Sequence, residues 1–284
     1  MATAQLNGLT IGYDDEGPRA AGPRAAGPRA AGSRTAGSRA PGAPLLLIHG
    51  HPFDRTMWTP QRTAFSPAHR VIAPDLRGYG ESEVVPGTTP FATFAADVLA
   101  LLDHLGVDRC ALGGLSMGGQ IAMECYRLFP ERISGLLLAD TFPAAETPEG
   151  KVWRNTLADR LLAEGMKPYA DEVLDKMAAP YNREASAHVH SMMLAAPPEG
   201  AAAALRGRAE RPDYRTLLTQ VTVPALIVVG RDDTYTPVAD AEAMHEAIPG
   251  ADLCVVESAA HLPNLERPEA FNAAVGKWLS RITA

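Results

Sequence analysis

The sequence is short of cysteine, of basic charge and of long apolar runs, and each shortage removes a class of protein. Three cysteines among 284 residues (Cys110, Cys125, Cys254) are too few and too scattered for a disulfide framework or a zinc cage. All three sit in apolar stretches and read as buried free thiols. Lys and Arg number 26 against 33 Asp and Glu, a formal charge of −7. That balance argues against a nucleic-acid partner, since phosphate contacts need a basic face. No apolar run approaches the roughly 20 residues that cross a bilayer, so no membrane partner is expected. The opening Met-Ala-Thr-Ala-Gln-Leu-Asn-Gly has neither the basic start nor the apolar run of a secretory signal, and the expected compartment is cytoplasmic.

What is present is a chain with enough apolar matter for a sizeable core, at 46% hydrophobic and 21% charged residues. One segment stands apart from it. From Gly17 to about Pro44 the chain reads GPRAA, GPRAA, GPRAA, GSRTA, GSRAP, with five arginines and no acid, which leaves −12 for the remainder. A Gly/Pro/Ala tract of this kind buries too little apolar surface to offset its ordering entropy, and it is expected to be a flexible surface loop.

Around it, apolar runs alternate with helical patterns. Ala4–Tyr13 predicts two short strands turning at Asn7-Gly8. Further strands are expected at Leu45–Ile48, Arg70–Pro74, Arg109–Gly113, Ile133–Asp140, Val223–Val229 and Leu253–Val256. Helices are expected at Phe91–Leu105, Met117–Phe129, Val238–Ile248 and Pro268–Ile282. Buried strands alternating with helices mean a mostly parallel sheet covered on both faces. Residues 143–213 break the alternation. They carry four helical patterns (Val152–Glu164, Lys167–Ala178, Glu184–Leu194, Gly200–Arg208) and no strand. The expected division is a core of residues 1–142 and 214–284, with 143–213 as a helical lid inserted after the sixth strand. The lid would roof the crevice beyond the carboxyl ends of the strands, where open α/β sheets bind ligands. Its Trp153, Met177, His188 and Met192 are candidate pocket residues. Lys151, Arg154, Arg160 and Lys167 are available in the lid to meet a free carboxylate on a substrate, and equally read as the wet faces of amphipathic helices.

Gly114-Leu115-Ser116-Met117-Gly118 fits the G-x-S-x-G nucleophile elbow and lies between an apolar strand and a helical pattern, as that turn requires. A serine hydroxyl needs a base. Of the eight histidines, His261 alone falls in a loop after the last strand, within reach of the elbow. His69, His104 and His245 fall in strand or helix patterns and read as structural, while His190, like His188, falls in the lid. The base in turn needs an acid to fix its tautomer. Asp233, in Gly230-Arg231-Asp232-Asp233 after a strand, is preferred, with Asp232 and Asp140 as alternatives. The order Ser, Asp, His is that of one of the three known arrangements. An oxyanion hole requires two backbone donors. Met117 follows the nucleophile, and His51 lies in the His49-Gly50-His51-Pro52 loop after the first long buried strand; His49 and Gly50 are expected to shape that loop.

The runs HGHPFDRTMW, APDLRGYGES, LSMGGQIAM, VVGRDDTYTP and AAHLPNLERPEAF together resemble the motif series of the α/β-hydrolase fold superfamily. They occur in its order and cover nearly the whole chain apart from the arginine repeat. The run LADTFPAAETPEGKVWRNTLADRLLAEGM is similar to the lid entry of the 3-oxoadipate enol-lactonase-like esterases, to which the cofactor-free perhydrolases are related. The resemblance implies a Ser116, Asp233, His261 triad, an oxyanion hole of the His51 and Met117 amides, no cofactor and no metal. It implies a serine esterase or lactonase acting on a small-molecule ester or lactone. This fold also hosts lyases, cyclases, acyltransferases and non-catalytic ligand-binding proteins. Two features depart from the pattern. His51 stands where those relatives usually carry a large apolar residue, which implies a more polar acyl pocket, and the 17–44 insertion has no counterpart.

Overall fold

The computed structural model describes residues 1–19 and 42–282. The expected flexible loop at 17–44 therefore falls mostly outside the described residues; at its edge, Arg19 pairs with Asp15 at 2.9 Å. Asn7 and Gly8 adopt φ of 50° and 81°, the left-handed pair that closes a two-residue hairpin between β1 (Ala2–Leu6) and β2 (Leu9–Glu16). The strands that follow are β3 (Gly42–Ile48), β4 (His69–Pro74), β5 (Cys110–Leu115), β6 (Ile133–Ala139), β7 (Ala225–Gly230) and β8 (Asp252–Val256). Among the described residues they form one eight-stranded sheet in the order β1-β2-β4-β3-β5-β6-β7-β8. Only the β1–β2 and β2–β4 pairs are antiparallel; the rest are parallel. Every residue of β5, β6 and β7 is buried, as expected of strands covered on both faces.

The flanking helices are α1 (Thr59–Phe65), α2 (Phe91–His104) and α3 (Met117–Leu128), then α9 (Val238–Ala247), α10 (Pro263–Glu266) and α11 (Pro268–Leu279) after β7. Between β6 and β7 come α4 (Pro148–Glu164), α5 (Met166–Met177), α6 (Arg183–Ala195), α7 (Pro198–Ala209) and the single turn α8 (Arg215–Leu218). The short helices α1, α8 and α10 were not expected, because four to seven residues are too few to display a 3.6-residue period.

The inserted helices touch the sheet's carboxyl-end loops at several points. The Thr89 amide donates to Ala203 in α7 at 3.0 Å. Asn182, at the start of α6, donates to the Ser258 carbonyl at 3.1 Å and to buried Glu266 at 2.6 Å. Helix α4 inverts its expected faces: Arg154 is buried on Glu146, whereas Val152 and Trp153 point to solvent. Among the described residues no helix is long and apolar enough to cross a membrane.

Candidate active site

The chain turns from β5 into α3 through Ser116, whose φ of 57° and ψ of −118° hold it in a strained region. Such a turn needs room on both sides. A Cβ on Gly114 would lie 2.1 Å from the Gly118 carbonyl oxygen, and one on Gly118 would lie 2.3 Å from the Ile48 carbonyl oxygen, so neither position accepts a side chain. The Ser116 amide donates to Ala139 at 2.9 Å, and the Thr141 hydroxyl donates to the Ser116 carbonyl at 2.7 Å, which pins the elbow to the end of β6. The Ser116 side chain sits above the N-terminus of α3, where the helix dipole favours negative charge.

His261 lies in the loop after β8 and is 1% exposed. Glu266 shapes that loop by accepting the Ala260 and Leu262 amides at 2.9 and 3.3 Å. Asp232 N–H donates to Ala259 O at 2.9 Å, drawing the loop after β7 against it. Between the two loops, His261 Nδ1 meets Asp233 Oδ2 at 2.8 Å. Burial alone would raise the Asp233 pKa. His261, the Thr236 hydroxyl and the Tyr235 amide outweigh that and hold it below the usual carboxylate value. Asp232 is exposed and accepts from the Tyr181 hydroxyl, so the structure brings Asp233 to the imidazole and leaves Asp232 outside.

Asp140 is drawn into the same cluster without touching the ring nitrogen. Its Oδ1 accepts the Gly230 amide at 2.9 Å, while its buried Oδ2 has no partner among the described residues. Ligand atoms of Asp140, Asp233 and His261 lie within 4.8 Å of one another. Burial first, and then the Asp233 carboxylate, push the Asp140 pKa well above the carboxylate range. His261 and Asp233 already bond to each other, and burial beside Asp233 disfavours a second charge at Asp140.

The Ser116 side chain, on a residue 3% exposed, is not among the hydrogen-bond partners of the His261 ring, which are Asp233 and, at 3.5 Å, the Thr236 hydroxyl. Beside Ser116 runs the loop after β3. A Cβ on Gly50 would lie 3.3 Å from Ser116 Cβ. His49 fixes this loop: its Nε2 accepts the Leu76 amide at 2.9 Å, and its Nδ1 meets Gly50 O at 2.8 Å. The Met117 N–H opens α3 and so lacks an intrahelical acceptor. The His51 N–H has no backbone acceptor among the described residues. The His51 ring bonds to the Tyr79 hydroxyl at 2.7 Å through Nδ1. Burial, and then the charges of Arg208 and Arg154, push its pKa well below the usual histidine value.

The four candidate pocket residues scatter. Trp153 is 48% exposed on the outer face of α4, so an enclosed pocket does not contain it. Met177 is buried in the hydrophobic core, whereas Met192, also buried, lines a small cavity with Phe53, Asp54 and Gly80. His188 faces a surface groove with Thr56, Asn182 and Glu266, its Nε2 3.3 Å from the Thr56 hydroxyl. Residues closer to His261 and His51 went unrecognised in the sequence. Tyr235 lies with its ring centroid 5.5 Å from that of His261, and Tyr169 lies 6.3 Å from His51. Tyr235, two residues past Asp233 in the same loop, carried a positional signal; Tyr169, in mid-helix, carried none.

A model of the alpha/beta hydrolase family matches residues 45–274, and the chain belongs to that family. Over 231 residues it is 32% identical to 3-oxoadipate enol-lactonase 2 of Acinetobacter baylyi, covering 80% of this chain and 84% of that one. A thermophilic esterase from Thermogutta terrifontis, solved with malate bound, shares the fold with a TM-score of 0.88 at 35% identity; the match covers 100% of this chain and 99% of the esterase. The enol-lactonase from Burkholderia xenovorans LB400 gives 0.84 at 28% identity, covering 98% and 100%.

Proposed function

We propose that this protein is a serine hydrolase that cleaves a carboxylic ester or lactone through Ser116, His261 and Asp233. The observation that carries the reading is the buried His261–Asp233 hydrogen bond of 2.8 Å in the loops after β8 and β7, at the same end of the sheet as the strained serine elbow after β5. The enol-lactonase and esterase relatives support the same substrate class.

In this reading His261 Nε2 takes the hydroxyl proton as Ser116 Oγ attacks the carbonyl carbon. Asp233 fixes the tautomer that leaves Nε2 free and stabilises the imidazolium that forms. The carbonyl oxygen becomes an oxyanion held by the His51 and Met117 amides. The alcohol leaves with the proton from His261, and water attacks the acyl-enzyme with the same imidazole as base. All the reacting groups come from the chain, so no cofactor is needed. The Ser116–His261 hydrogen bond forms as substrate binds, since such bonds tighten only in the Michaelis complex in many hydrolases. Helices α4 to α7 act as the lid, excluding bulk water from the acyl-enzyme.

Replacing Ser116 by alanine tests the reading. Turnover of p-nitrophenyl acetate by S116A should fall by at least about 10³, with the melting temperature maintained. Retained turnover would mean another nucleophile.

A further inference from the structure

Glu266 ends the short helix α10, just past the loop of His261, and is 5% exposed. A carboxylate has about four lone-pair sites. All of them are filled here, by two different parts of the chain. Oε1 accepts the Ala260 and Leu262 amides at 2.9 and 3.3 Å, the amides of the residues on either side of His261. Oε2 accepts the Ala179 amide at 2.9 Å and the Asn182 side-chain amide at 2.6 Å, both from the segment between α5 and α6.

Asn182 holds more than this carboxylate. Its backbone amide donates to Ala179 O at 2.8 Å and closes the segment into a turn. Its side-chain amide also donates to the Ser258 carbonyl at 3.1 Å, and its Oδ1 accepts from Arg267 Nη1 at 2.6 Å. Ser258, at a φ of 57°, is the strained residue in the stretch that leaves β8 toward His261. Tyr181, in the same turn, donates to Asp232, the neighbour of Asp233. One turn of the inserted helices thus grips the loop of the imidazole and the loop of its acid.

These contacts depend on one another. Arg267 turns to Asn182 and, at 2.8 Å, to the Glu266 main-chain carbonyl, so N–H groups meet the buried carboxylate in place of a cation. Were the 179–182 turn to lift away, Oε2 would lose both of its donors, and a buried charged group left short of partners is costly. A fully satisfied buried network rigidifies what it joins. What it joins here is the turn between α5 and α6 and the backbone on both sides of the imidazole.

We propose that Asn182 and Glu266 are positioning residues that clamp the His261 loop to the inserted helices, so that the base is in place only while the 179–182 turn is seated. This rests on the serine-hydrolase reading above. It adds that the inserted helices act on kcat and not only on access to the site.

N182A tests the clamp, with p-nitrophenyl acetate as substrate. The variant loses both side-chain donations. Its kcat should fall by about tenfold to a hundredfold, the worth of a hydrogen bond to a charged group, with KM within about threefold of the parent. N182L fills the space without a donor and should be as impaired. In both variants the downfield proton resonance of the His261–Asp233 hydrogen bond should broaden. A parent kcat in N182A overturns the proposal, as does an N182L enzyme that regains it, or a loss confined to KM or to the melting temperature.

Should the variants fail to fold, amide hydrogen exchange on the parent enzyme reads the same coupling. Peptides covering 177–183 and 257–263 should open as one unit, with protection equal to within about tenfold. A larger difference overturns the proposal. Turnover that survives in S116A would instead sink the serine mechanism. Ser116-dependent turnover with the parent kcat in N182A sinks only the positioning role.

Discussion

Replacing Gly118 by alanine probes how closely the elbow and the loop after β3, proposed above to hold the oxyanion, are packed. The added Cβ would lie 2.3 Å from the Ile48 carbonyl oxygen and 2.6 Å from that of His49. Both are backbone atoms at the end of β3, so no side chain can swing aside and α3 must back away from the strand. Overpacking of this kind costs about 1–3 kcal/mol. At roughly 2–4 °C per kcal/mol for a chain of this size, the melting temperature should fall by about 2–12 °C. The same displacement separates the Met117 amide, at the head of α3, from the His51 amide just past β3. Losing one oxyanion donor costs about 10²–10³ in rate, and the loss should fall on kcat. Thermal melts and p-nitrophenyl acetate kinetics of G118A read both effects. G276A is the control: Gly276 lies in α11, and its added Cβ would meet nothing closer than Phe65 at 3.7 Å. It should keep the parent kcat and gain up to about 1 kcal/mol from helix propensity. A G118A enzyme with the parent melting temperature and kcat would refute the packing argument.

Two further substitutions separate the carboxyls beneath His261. D233N leaves the shape intact but favours the wrong tautomer, and kcat should drop by about 10⁴; a loss under tenfold would contradict the role given to Asp233. Burial, then Asp233, pushes the Asp140 carboxyl well above the carboxylate range, so folding favours its protonated form relative to the unfolded chain, where an aspartate titrates near pH 4. Stability from that group is complete below the unfolded value and is lost as pH rises toward the folded one. D140N carries no such loss, so its melting temperature relative to the parent should be higher at pH 8 than at pH 5. An equal difference at both pH values would contradict a buried proton at Asp140.

The parts of this molecule that were legible in the sequence are those a local pattern encodes. The parallel strands announce themselves as apolar runs, and the elbow as two glycines spaced around a serine. The loop positions of Asp233 and His261 were legible because each follows a strand whose end the pattern marks. What escaped depends on partners far apart in the chain. Nothing near Arg208 says that Gln120 will be its acceptor or that Glu146 will already be occupied. Glu266 looks like any surface acid until the Ala179, Ala260 and Leu262 amides converge on it. In α4, an arginine turned inward to an acid and a tryptophan turned outward reverse the usual sense of an amphipathic helix, which is why Trp153 was expected in a pocket and stands at the surface. Asp140 was weighed as the triad acid because it stands at the carboxyl end of the sixth strand pattern, just past the observed β6; its unpartnered oxygen and its proximity to Asp233 are visible only in three dimensions.

The central claim is that one hydroxyl carries the acyl group. Incubating the parent enzyme with a fluorophosphonate and reading the intact mass, then mapping the modified peptide, tests it without any choice of substrate. One adduct per chain, on Ser116, is predicted, with none in S116A. An unlabelled parent chain, or a label that persists in S116A, would contradict it.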